Sequence, residues 1–100
     1  MEESFDDETK NKIWSKGEKI YPNDPSNWRK DQCEAYINWK QYGNRDSDYG
    51  WEIDHIDCDR NNNELSNLRP LQWKNNLDKG DGKLKCNITS SGIINIDKSK

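Results

Sequence analysis

Trp51-Glu52-Ile53-Asp54-His55-Ile56 opens the stretch that decides the fold; Leu68-Arg69-Pro70-Leu71-Gln72 and Trp73-Lys74-Asn75-Asn76-Leu77-Asp78-Lys79-Gly80 complete it. Apolar and polar residues alternate in the first run. The spacing predicts a half-buried strand with Trp51 and Ile53 facing in, Glu52 and Asp54 facing out. Asp57 to Glu64 is so rich in Asn and Asp that side chains compete for the backbone's hydrogen bonds, which predicts a loop. Leu68 to Gln72 suits a short return strand with Pro70 at an edge, and Trp73 to Lys79 suits a helix closed by Gly80. The order strand, loop, strand, helix predicts an α+β fold.

Outward from this segment the signals are more local. Acidic residues precede a helix expected over Thr9 to Lys16, with Ile13-Trp14 as its buried pair and Gly17 placed to end it. Tyr21 to Ser26 is a turn cluster, and Asp24-Pro25 can start one helical turn through Arg29. From Cys33 the pattern is strict alternation, with Cys33, Ala35, Ile37 and Trp39 on one side of a strand running to Lys40. Gly43 to Asp48 reads as a polar loop. Beyond Gly82, alternation at Leu84, Cys86, Ile88 and again at Ile94, Ile96 fits either a terminal hairpin or an extended tail. The division expected is an acidic disordered tail over residues 1–8, one domain over 9–82 with its core at about 50–81, and a C-terminal extension over 83–100.

One hundred residues are enough for one modest core. Hydrophobic residues are only 29%, yet five Trp, four Tyr and one Phe supply large buried surfaces, so a thin aromatic core is expected. No apolar run approaches the roughly 20 residues of a membrane span, and the N-terminus is acidic where a signal peptide is basic and then apolar. A soluble, intracellular protein without a membrane partner is expected. Cys33, Cys58 and Cys86 form no Cys-x-x-Cys pair and are odd in number, which reads as three free thiols. The sequon at Asn87 reads as chance.

The net charge of −3 disfavours a polyanionic partner only as an average. Glu2, Glu3, Asp6, Asp7 and Glu8 fall in the first eight residues, so residues 9–100 carry 16 basic against 14 acidic groups. The body is mildly basic behind an acidic head. Arg60, Arg69, Lys74 and Lys79, followed by Lys83 and Lys85, lie within or just after the deciding segment, where a phosphate-facing surface is wanted.

Asp54 beside the chain's single histidine, His55, joins a hard oxygen ligand to a base that titrates near neutrality. Those are the two parts of a phosphodiesterase with one metal ion. Glu52-Ile53-Asp54-His55-Ile56, then Leu65-Ser66-Asn67-Leu68-Arg69-Pro70-Leu71, then Asn75-Asn76-Leu77-Asp78-Lys79-Gly80-Asp81 resembles the HNH endonuclease family and its ββα-metal motif, over about residues 50–81. The resemblance implies an antiparallel hairpin, an Ω-like loop and a helix, with N-terminal helical and strand elements added. It implies His55 as general base, Asp54 and Asn76 as ligands of one divalent cation, Mg²⁺ or Mn²⁺, and Asn67 as the brace of the loop that orients His55. Arg60, Arg69, Lys74 and Lys79 are then expected to face nucleic acid, double-stranded DNA above all.

Many members carry two Cys-x-x-Cys pairs on a structural zinc. Here Cys33 is followed at that interval by Tyr36, and the second pair is replaced by Gln72 and Asn75, so no structural zinc is expected. The function expected is a metal-dependent DNA endonuclease. The alternative is a non-catalytic DNA-binding or assembly module of the same shape, and the acidic head is a candidate docking segment for a protein partner.

Overall fold

Asp6 starts the first helix: its carboxylate accepts from Thr9 N at 2.8 Å, and Asp7 and Glu8 occupy the first turn, where the helix dipole favours acids. The acidic head is therefore ordered from Asp6 and is not a free tail through Glu8, as the sequence suggested. The computed structural model describes residues 5–99, and the first four residues of that expected tail lie outside this range. Helix α1 spans Asp7–Trp14, two residues ahead of expectation. Buried Arg29 donates from Nη1 to Ser15 O and Gly17 O, at 3.1 and 3.0 Å, taking up carbonyls just past the helix end.

The single helical turn expected from Asp24 to Arg29 forms, with Asn27 N and Trp28 N donating to Asp24 O, but it is shorter, because Trp28 and Arg29 already belong to a strand. It delivers the chain into a small antiparallel sheet of β1 (Glu18–Lys19), β2 (Trp28–Lys30) and β3 (Tyr36–Asn38). The strand expected from Cys33 to Lys40 is thus only three residues long. Asp31 Oδ1 accepts from Cys33 N and Ala35 N, both at 2.9 Å, and curls residues 31–35 into a turn. At the other end Asn38 caps a 3-10 turn over Trp39–Gln41. Cys33, Ala35 and Ile37 are buried as the alternation implies, but so is Tyr36.

Strand β4 (Trp51–His55) pairs antiparallel with β5 (Leu68–Gln72), and helix α2 (Trp73–Lys79) follows directly. Gln72 Oε1 accepts from Lys74 N and Asn75 N to start α2, and Gly80, at φ +51°, ends it. Gly50 leads into β4 where a Cβ would lie 1.9 Å from Asn44 O, so only glycine fits. The core is aromatic. The Trp14, Trp39 and Trp51 rings stand 5.0 to 5.7 Å apart, with Ile37 and Ile53 packed against them.

Asp31 joins the two halves. Its Oδ2 accepts from Gln72 N at 3.0 Å and Asn75 Nδ2 at 3.1 Å, so one carboxylate takes four donors. Burial pushes this carboxyl above its ordinary value, against the pull of those bonds. Of the two alternatives for the C-terminal extension the hairpin is found: β6 (Ile88–Ser91) pairs with β7 (Ile94–Asp97). Asn75 exchanges two hydrogen bonds with the Ile88 backbone, and Asn95 does the same with Tyr36. Asn87 of the sequon donates to Asp78. Cys33 and Cys86 are disulfide-bonded, which corrects the reading of three free thiols; only Cys58 is free. The fold carries these partners together from positions 53 apart. Such bonds persist in oxidising surroundings, a fact that the intracellular expectation did not anticipate. Among the described residues no helix is long and apolar enough to cross a membrane.

Reducing the disulfide should lower stability by about 4 kcal/mol from loop-closure entropy, read as a shift in urea midpoint with and without reductant. Asp31→Asn turns an NH₂ group toward donors that need an acceptor. A loss of roughly 3 kcal/mol in the same assay is expected, with parent-like stability as the contrary result.

Candidate functional site

Glu52 and Asp54 are two residues apart and so share a face of β4, with His55 at the strand's end. With Arg60, Asn76 and Lys79 they line one open groove of about 870 Å³. Asn67 closes the loop that leads out of β4. Its Oδ1 accepts from Asp57 N at 3.0 Å, its Nδ2 donates to Asp57 Oδ1 and Asn62 O, both at 2.9 Å, and its carbonyl accepts from Ile56 N. Loop residues on both sides of His55's exit are thereby tied to one buried side chain.

His55 Nε2 lies 2.7 Å from Asn63 Oδ1. An amide oxygen only accepts, so this bond places the proton on Nε2 and leaves the lone pair of a neutral imidazole on Nδ1. In the sequence Asn63 has only a place in the loop from Asp57 to Glu64. Its part in fixing the tautomer had no signature in the sequence, because a loop eight residues on gives no periodic cue to what it touches.

Asp54 was expected to face out and is buried. It sits opposite Arg69 in the register, and Arg69 Nε reaches its Oδ2 at 2.7 Å. Lys79 Nζ, also buried, stands 3.1 Å from Oδ1 and donates to His55 O and Cys58 Sγ. Of the four cations expected to face nucleic acid, Arg69 and Lys79 thus turn to Asp54, and Lys74 pairs with Asp78 and Asp97. Arg60 is exposed on the groove. Asn76 donates from Nδ2 to Glu52 Oε1 at 3.0 Å, and Arg45 holds the same carboxylate at 2.8 and 3.0 Å.

Among the described residues no three His, Cys, Asp or Glu side chains converge as a ready cage for a metal. The donor set nonetheless fits a hard cation that keeps most positions for water and a phosphate. A carboxylate has about four lone-pair sites, and Arg69 and Lys79 take two of those on Asp54. The bond to Glu52 turns the Asn76 carbonyl the opposite way. Glu52, Asp54 and Asp81 line the groove with Arg45, Arg60 and Lys79, and the first two carboxylates are paired with Arg45, Arg69 and Lys79. No protein-family model matches the chain, and no curated protein or solved structure matches it.

The Asn62 side chain, then the Asp59 N–H, hold the Asp57 carboxyl below its ordinary value of 3.8. A carboxyl lowered on folding supports the folded loop fully above that value and withdraws the support as pH falls through the lower folded value. The Asn67 side-chain amide and the Asp59 backbone amide should therefore titrate together below pH 3.8 in heteronuclear NMR. Separate transitions at or above that pH would contradict the shared anchor.

Proposed function

We propose that this chain is a metal-dependent endonuclease of the HNH type, a ββα-metal phosphodiesterase that takes one Mg²⁺ or Mn²⁺ and acts on double-stranded DNA. The observation that carries this reading is the 2.7 Å contact of His55 Nε2 with Asn63 Oδ1. With a proton on Nε2 donated to Asn63, the imidazole offers Nδ1 to a water in the groove that Asp54 and Asn76 also line. Asp54 and the Asn76 carbonyl are the residues that would hold the cation. When bound, that ion supplies Lewis-acid stabilisation of charge on a phosphoryl oxygen.

The remaining steps belong to the chain's own groups. Nδ1 of His55 takes the proton of the attacking water. The loop anchored by Asn67 keeps the ring in place while it does so. Arg60, exposed at the rim, is placed to meet the phosphate backbone.

A second reading, a non-catalytic DNA-binding or assembly module of the same shape, is favoured by one observation, the double ion pair on Asp54. Incubation with supercoiled plasmid under Mg²⁺, Mn²⁺, Zn²⁺ and EDTA separates the two. Cleavage with Mg²⁺ or Mn²⁺ that EDTA abolishes is expected, and His55→Ala should lower its rate by roughly 10² to 10⁴ while the circular dichroism spectrum is unchanged. Plasmid binding without metal-dependent cleavage would select the module, and parent-like cleavage by a folded His55→Ala would remove the base.

A further inference from the structure

We propose that Glu52 is a positioning residue that sets the orientation of the Asn76 amide, so that its carbonyl oxygen and not its NH₂ group is offered to a cation in the groove; this rests on the cation site of the proposed function. The sequence reading assigned Glu52 only an outward-facing place on a strand. In the structure its side chain is 15% exposed and its carboxylate is held from two sides. Arg45 donates from Nε to Oε2 at 2.8 Å and from Nη2 to Oε1 at 3.0 Å, and Asn76 donates from Nδ2 to Oε1 at 3.0 Å.

The chemistry of the two groups makes this bond directional. A carboxylate only accepts, and an amide has one donating and one accepting end on opposite sides of its axis. The terminal torsion of an Asn side chain is broad and nearly two-fold, so without a partner both orientations are populated. Glu52 selects one. The flipped amide would turn two N–H groups toward a cation, and a neutral ligand has no net charge to compensate. The backbone under Asn76 is already fixed, because Gln72 caps the start of α2 and the neighbouring Asn75 is bound to Asp31 and Ile88. The amide torsion is the freedom that remains, and Arg45 denies Glu52 the freedom to follow it.

The test is a double-mutant cycle in Mn²⁺ affinity, measured by calorimetry on the full chain as Glu52→Ala, Asn76→Ala and the double variant. Glu52→Ala should weaken Mn²⁺ binding about 10- to 100-fold in the parent, the range for residues that orient a ligand, and have no effect once Asn76 is alanine. Equal losses in both backgrounds would show that Glu52 acts through its own charge or as a ligand, and would overturn the inference while leaving the cation site standing. No Mn²⁺ uptake by the parent overturns the cation site and the inference with it. A second readout needs no metal: the Asn76 side-chain amide resonances should shift in Glu52→Ala while those of Asn75 stay put. Unshifted Asn76 resonances would overturn the positioning role whatever binds.

Discussion

One buried carboxylate decides whether the two halves of this molecule meet. Asp31 accepts four hydrogen bonds, two from the turn that holds Cys33 and Ala35 and two from the start of α2. Everything at the groove is placed relative to that junction: α2 carries Asn76 and Lys79, and Gln72 is the last residue of the strand that pairs with β4. An anion surrounded by N–H donors thus links residues 31–35 to residues 72–75, and the Cys33–Cys86 bond closes the same region covalently. A carboxylate taken out of water is tolerated only when its acceptor sites are filled, which Asp31 satisfies with four donors.

The groove obeys a second electrostatic constraint. Asp54 is buried, and a buried carboxylate needs partners; it has Arg69 across the sheet and Lys79 from the helix. Those partners neutralise the charge that a divalent ion would seek. The proposed enzyme therefore differs from a protein with a preformed metal cage. Lys79 also touches His55 O and Cys58 Sγ, so the ammonium binds the strand end to the loop beyond it.

What was legible in the sequence follows from the range of the interaction that carries it. The bounds of β5 and α2 were readable because each rests on local signals, the short apolar run around Pro70 for the strand and Gly80 for the helix end. Strand β3 was overestimated because alternation marks burial, and the turn at Asp31 and the cap at Asn38 shorten the strand without disturbing that pattern. Asp54 broke the inward and outward rule because its partners come from positions 15 and 25 residues away. The pairing of Cys33 with Cys86 and the bond from Asn63 to His55 are likewise tertiary facts, which no period in the chain announces. His55, Asp54 and Asn76 were singled out from their order and spacing, and the groove brings them together; Glu52 was overlooked since a carboxylate on a strand looks solvated until its partners are known.

The C-terminal hairpin also sets the order in which the molecule can mature. Cys86 is bonded to Cys33, and Asn95 reaches Tyr36 and Asp48. A chain emerging at about 5–20 residues per second can settle the Trp14, Trp39 and Trp51 rings early, while the partners of Tyr36 and Cys33 are still unmade. During that interval the edge of β3 and the Cys33 thiol are open to other chains. Maturation therefore waits on residues 86–97, and until they fold the edge of β3 and the Cys33 thiol lack their partners.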